Sequence, residues 1–281
     1  EIAFESVVGG KMIRPSLLVL WARASSESLN REQIERMYDL GAAVELIHAA
    51  SLVHDDIIDR SSFRRGKPSI NVRWGEDLAL LTGDYLLACA VKLVAENSGA
   101  DEVRMVSNTI KTMCEGELMQ TYLAGEFDLP LERYLQLISM KTASLMEIAC
   151  SLGAITSGRK DLLKSASTFG LNFGIAFQIV DDMRDLMEDQ TELGKQAQSD
   201  LKQRKLTAPL ICLRESCSSS EREELKERLM KETISDEDLN RIRSLVRRYG
   251  VMERCREMMG ELISNCLLYT SDAADDGESV D

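Results

Sequence analysis

The chain has 281 residues, of which 44% are apolar and 5% aromatic, and it carries a net charge of −13. A chain of that size can bury one large core, and its acidity disfavours nucleic acid or an anionic membrane as the main partner. Seven cysteines without CxxC spacing fit a reducing, cytoplasmic setting and neither a zinc site nor a disulfide framework.

In chain order, Gly9-Gly10-Lys11-Met12-Ile13-Arg14-Pro15 comes almost at once after Glu1, so an N-terminal helix is expected to be truncated. Ile34 to Ala50 places Met37, Leu40, Ala43, Val44 and Ile47 on one stripe, which predicts a helix. No breaker separates it from Asp55-Asp56-Ile57-Ile58-Asp59. Gly66-Lys67-Pro68-Ser69 is a stop and turn. Asp77 to Glu96, Glu102 to Ala124 and Leu131 to Thr156 read as further helices, and Phe169 to Leu186 carries a second acidic pentad, Asp181-Asp182-Met183-Arg184-Asp185. Gly194 to Lys205 is polar and irregular, and Thr207 to Arg214, Ser220 to Met230 and Ser235 to Ser264 are helical again. No strand alternation and no wholly uncharged apolar run of about 18 residues occurs. The expected class is therefore all-α, a single large helical bundle without a membrane span. Residues 1–265 form that domain. Cys266 to Asp276 reads CLLYTSDAADD, an abrupt change of composition that matches a translated sequencing adapter, with a disordered acidic tail as the alternative for 266–281.

The pentads carry the chemistry. Each lies in an apolar run, and burying several carboxylates there is costly unless positive charge meets them. The first and last aspartates of each pentad stand at i and i+4, on one helix face about 5.4 Å apart. Two such faces across a cleft would form an all-oxygen site for hard divalent cations, and magnesium in such sites brings phosphate with it. A lone pentad of this kind is as often a solvated helix face. Its surroundings add weight here, because Arg64-Arg65 follows the first pentad, where guanidinium groups can grip phosphate oxygens.

The first pentad with Arg64-Arg65-Gly66-Lys67-Pro68, the second with Phe177-Gln178-Ile179-Val180 before it, and the later Gly194-Lys195, Asp200 and Lys205-Leu206-Thr207 together resemble the trans-isoprenyl diphosphate synthases, or polyprenyl synthetases. That resemblance spans about 9 to 213. It implies an isoprenoid-synthase bundle with a central cleft that condenses isopentenyl diphosphate with an allylic diphosphate. Three Mg2+ ions are implied, held by Asp55, Asp59 and Asp181, with Asp56, Asp182 and Asp185 completing the motifs through metal-bound water. Arg64, Lys141, Thr142, Gln178, Lys195 and Lys205 take the place of allylic-site contacts, and Lys141-Thr142 lies in a matching KTASL string. Lys11, Arg14, His48 and Arg65 take the place of the isopentenyl diphosphate site. His54 is read as structural. No dedicated protein base is evident, and the family implies that the released diphosphate takes the proton.

In the family, the residues four and five before the first aspartate floor the pocket for the growing chain. Here they are Ser51 and Ala50, both small. Small side chains there imply a medium or long all-trans product, such as one for a quinone side chain, made in a tunnel toward Leu86, Leu87 and Met113. Ala50 and Ser51 are equally explained by close helix packing, and a farnesyl or geranylgeranyl product is the alternative. The family's GKPxGxDLxxGK string is altered at Gln196, Gln198 and Arg204, the last two in place of glycines, which bears on turnover. The family state is a homodimer. A class I terpene cyclase is disfavoured by the second intact pentad, and a non-catalytic subunit of a heterodimer is disfavoured by the presence of both.

Overall fold

The computed structural model describes residues 2–7, 9–64, 66–187, 201, 203–231 and 233–275, with side chains through Cys266. Short α1 (Ile2–Val7) and α2 (Ile13–Ala24) precede the long α3 (Arg31–Ile58). α3 begins at a reciprocal cap, in which the Asn30 side chain accepts from Gln33 N–H and Gln33 accepts from Asn30 N–H, each at 2.9 Å. It ends at Asp59, whose N–H still donates to Asp55 O at 2.8 Å. A small antiparallel hairpin, β1 (Phe63–Arg64) and β2 (Lys67–Pro68), occupies the expected turn. Next come α4 (Ile70–Trp74), α5 (Glu76–Asn97) and α6 (Ala100–Leu123).

The stretch Leu131 to Thr156, expected as one α-helix, is α7 (Leu131–Ile138), a π-helical turn at Ser139–Ala143, and α8 (Ser144–Thr156). Tertiary packing accounts for the distortion. An added Cβ on Gly116 of α6 would stand 2.9 Å from Lys141 N, and one on the glycine at 174 would stand 2.5 Å from Ala143 Cα. The turn is clasped on two sides by backbones that only glycine allows so close. Gly174 belongs to α9 (Leu163–Met187), which bears the second pentad. The chain closes with α10 (Ala208–Ser216), α11 (Ser219–Leu229), α12 (Asp236–Arg248) and α13 (Val251–Asp275). Ser235 to Ser264 is thus two helices, divided at Gly250, whose φ of 60° lies in the left-handed region. α13 runs on past 265, and Cys266 is buried with its thiol 3.7 Å from Phe169 O.

Every residue of α8 except Glu147 is buried, which makes it the axis of the bundle. On one side, α2, α3, α5, α6 and α8 share a core that includes Leu40, Val44, Ile47, Val106, Leu145 and Leu152. On the other, α7 and α9 to α13 share a second, with Ile179, Leu210, Ile211, Leu213, Ile242 and Leu245. The two pentads lie where these halves meet at the π turn. By length and apolarity alone, Glu76–Asn97 and Leu131–Thr156 pass the measure of a membrane-crossing helix, although neither is free of charge. The most apolar stretch of the second is 72% buried inside the bundle and that of the first 33%.

Candidate active site

Lys141, at the centre of the π turn, reaches Asp55 of α3 at 3.4 Å and also pairs with Glu117 of α6. Its neighbour Thr142 donates from Oγ1 to Gln178 Oε1 at 2.9 Å, and Gln178 donates from Nε2 to Asp182 Oδ1 at 2.8 Å. Two adjacent residues therefore link the helix of the first pentad to that of the second. A π turn widens the helix locally and lets consecutive side chains serve opposite neighbours.

Lys205 closes the same side of the cleft, with its ammonium 3.1 Å from Asp59 Oδ2. With its amide oxygen turned to the lysines, Gln120 accepts from both Lys141 and Lys205 at 3.1 Å. Glu117 and Gln120 were not singled out from the sequence. The signal was present: they continue the α6 stripe of Val106, Ile110 and Met113 with polar residues where apolar ones would be expected.

The second aspartate of each pentad has another task. Asp56 is 3% exposed and accepts from Arg64 Nε at 3.0 Å, which ties the β hairpin to α3. Asp182 is 4% exposed, accepts from Gln178, and pairs with the Tyr134 hydroxyl of α7. One residue along a helix turns a side chain through about 100°, so Asp56 faces Arg64 while its neighbour Asp55 faces Lys141. Both carboxylates thus also tie their helices to neighbouring elements, Asp56 through Arg64 and Asp182 through Tyr134 and Gln178. Asp185 is half-buried, and Asp181 is exposed.

The charge balance is short of cations. Asp55, 18% exposed, has its pKa pushed up to about 6, because burial outweighs the attraction of Lys141 while Glu117 and Asp59 add repulsion. Asp182 is likewise raised to about 6 by burial, against the hydrogen bonds from Tyr134 and Gln178. Lys141 is raised above its ordinary value: burial works against this, and Asp55 and Glu117 outweigh it. A buried, all-oxygen set with excess negative charge fits a hard divalent cation. Among the described residues no three such groups converge on one point.

The remaining sequence candidates are spread more widely. Lys11 is exposed just ahead of α2, and Arg14 is half-buried in its first turn, beside Pro15, which packs on Gly41 of α3. His48 is half-buried on α3, seven residues before Asp55. Arg65, Lys195, Gln196 and Gln198 lie outside the described residues. Ala50 is fully buried against Leu86, and Ser51 is half-buried with its hydroxyl on His48 O at 2.9 Å. His54 fits its structural reading: Nε2 lies 3.2 Å from Leu80 O, and an added Cβ at Gly83 would strike the ring at 2.1 Å.

Comparison with known proteins gives a family match to polyprenyl synthetase over residues 1–246. Component 2 of the heptaprenyl diphosphate synthase of Geobacillus stearothermophilus is 41% identical over 204 residues, covering 72% of this chain and 62% of that protein. The geranylgeranyl diphosphate synthase of Saccharolobus solfataricus is 36% identical over 251 residues, covering 86% and 74%. Among solved structures, the decaprenyl diphosphate synthase of Rhodobacter capsulatus superposes with a TM-score of 0.84 at 32% identity, covering 95% of this chain and 80% of that one. The octaprenyl pyrophosphate synthase of Helicobacter pylori gives 0.86 at 28%, covering 96% and 86%. The chain therefore spans less than two thirds of the first of these relatives and 74% or more of the others, and it belongs to the polyprenyl synthetase family.

Proposed function

We propose that this chain is a Mg2+-dependent trans-prenyltransferase that joins isopentenyl diphosphate to an allylic diphosphate and builds a medium or long all-trans polyprenyl diphosphate. The observation that carries the reading is the Lys141–Thr142 link between the two acidic helices. Breaking an allylic carbon–oxygen bond leaves a diphosphate of high negative charge beside a carbocation. Groups fixed in advance where that charge develops lower the barrier without reorganisation. Lys141 and Lys205 are such groups, two ammoniums held by Glu117, Gln120, Asp55 and Asp59 in a largely buried cleft. Asp55, Asp59 and Asp181 are the residues that would hold Mg2+, which when bound supplies Lewis-acid stabilisation of the leaving diphosphate. Ala50, small and buried, supports an extended product, and relatives named for heptaprenyl and octaprenyl products agree. The geranylgeranyl synthase among the relatives keeps a shorter product as the alternative.

The assembly reading is a homodimer. Leu78, Leu81 and Tyr85 of α5 and Leu118 and Tyr122 of α6 are large, exposed and spaced by three or four residues, which supports a protein partner on those helices. A relative named as component 2 favours a second reading, a heteromer in which this chain carries both pentads. Incubation with farnesyl diphosphate, isopentenyl diphosphate and Mg2+, followed by chromatography of the dephosphorylated products, tests activity. Chelator-sensitive consumption of both substrates is expected. A folded homodimer that consumes neither would defeat the homomeric reading.

A further inference from the structure

Three sulfur atoms outside the acidic cleft meet where α10 packs on α13. Cys212 of α10 and Cys255 of α13 are both wholly buried, at 0% exposure, in one hydrophobic core. Cys212 Sγ lies 4.0 Å from Met258 Sδ, and its thiol shares a hydrogen bond with that of Cys255. Cys255 and Met258 stand three residues apart on α13, which puts them on one helix face. The contacts therefore form a single chain of sulfurs between the two helices.

The two thiols are unequal. Cys212 is more acidic than an ordinary thiol, chiefly because it accepts from Cys255, and the Arg254 guanidinium adds attraction against the cost of burial. Cys255 is less acidic, through the same hydrogen bond and its burial, with Asp182 adding repulsion. One sulfur is thus the better nucleophile, and a second stands in contact with it. Burial instead raises Cys150, Cys217 and Cys266, which makes each a poorer nucleophile. The pair also lies near the surface. Met258 and Arg254 are half-buried, and Arg254 clasps the same two helices from outside, donating to Ser216 Oγ at 3.1 Å and to Glu215 Oε2 at 2.7 Å. A part-exposed ion pair of this kind contributes little stability.

From this arrangement we propose that Cys212 and Cys255 are an oxidation site, which hydrogen peroxide converts into a disulfide joining α10 to α13. Release of the Arg254 clasp is the route by which so small a solute reaches the sulfurs. The Cys212 thiolate attacks the peroxide, the O–O bond breaks, and a sulfenic acid forms as hydroxide leaves. The sulfur of Cys255 then bonds to that of Cys212 and displaces the sulfenic oxygen as water. Two thiols are oxidised, one peroxide is reduced, and both thiol protons end in the two waters. The new bond closes a loop of about 43 residues and so restricts the unfolded chain. It also braces the helix whose first N–H, that of Ala208, donates to Asp182. Nothing in this step depends on what the acidic cleft turns over.

The test uses the full chain, freshly reduced and then freed of reductant. It is treated with hydrogen peroxide, the remaining thiols are alkylated in denaturant, and the unreduced peptides are mapped by mass. A peptide pair carrying Cys212 and Cys255, lighter by two hydrogens and split by dithiothreitol, is expected. The cross-linked protein should also melt several degrees above the reduced form. In Cys255→Ser, which keeps a donor beside Cys212, the attacking sulfur should be trapped as its dimedone adduct. Alkylation of both Cys212 and Cys255 after the exposed Cys114 has been oxidised would overturn the proposal. So would a disulfide from Cys212 to Cys217 in place of Cys255. A folded Cys255→Ser without the adduct, under conditions that cross-link the parent, would overturn the role of Cys212 as attacking sulfur. If that variant does not fold, the parent's peptide map decides alone.

Discussion

Asp55 and Gln178 sit on different helices, yet each is held by one of two adjacent residues, Lys141 at 3.4 Å and Thr142 at 2.9 Å. The relationship makes the π turn the mechanical centre of the site. It also explains why the turn is gripped by glycine on both sides, since any displacement would move both connections at once.

Gly116→Ala tests that grip. The new methyl would stand 2.9 Å from Lys141 N and 3.2 Å from its Cα, both backbone atoms that cannot swing aside. A loss of about 1–3 kcal/mol in urea denaturation is expected, with an initial rate at least roughly tenfold lower because Lys141 shifts from Asp55. Normal stability and rate together would show that the contact is soft.

Asp55 stores a pH-dependent cost. Its folded pKa is raised from 3.8 to about 6, chiefly by burial, so the ionised carboxylate destabilises the fold above pH 6 and ceases to do so as pH falls toward 4. At pH 7.5 the cost is on the order of 2–3 kcal/mol. Asp55→Asn, which leaves Lys141 paired with Glu117, is expected to raise the melting temperature in chelator by several degrees at pH 7.5. The gain should shrink through pH 6, and the Mg2+ response should disappear. A variant that melts lower than the parent at pH 7.5 would contradict this balance.

Arg204 stands where the family string has glycine, and its φ is 54°. A left-handed backbone costs a non-glycine residue roughly 1–2 kcal/mol, partly offset by the unfolded-state entropy of glycine. Arg204→Gly should therefore raise stability by up to about 1 kcal/mol, read as a higher urea midpoint. A lower midpoint would mean that the arginine side chain contributes more than its backbone costs.

Ala50→Phe places a ring beside Leu86 at a position with no exposed surface. Overpacking costs about 1–3 kcal/mol, and the longest product is expected to lose at least one prenyl unit. An unchanged ladder from a folded variant would remove Ala50 from the product path.

Much of this was legible in the sequence because α3, α5, α6 and α9 bury one regular stripe each, and periodicity reports such faces directly. The π turn was not, since Ser139 to Ala143 contains no breaker and the distortion is imposed by Gly116 and Gly174 from other helices. The break at Gly250 was missed because one glycine in an amphipathic run is ordinarily tolerated. The partners of Asp56 and Asp182, namely Arg64, Tyr134 and Gln178, depend on the fold and were not legible in the spacing of the pentads. Glu117 was recoverable as a carboxylate on a core-facing stripe; its pairing with Lys141 depends on the fold.

The central claim, that the two pentads form one cation-dependent diphosphate site, is tested most directly by a double-mutant cycle on ligand-induced melting. The shift produced by Mg2+ with a non-reacting allylic thiolodiphosphate is measured for the parent, Asp55→Ala, Asp181→Ala and the double variant. Residues that share one site are not additive, so each single variant should lose most of the shift and the double little more. A full parental shift in either single variant would contradict the account.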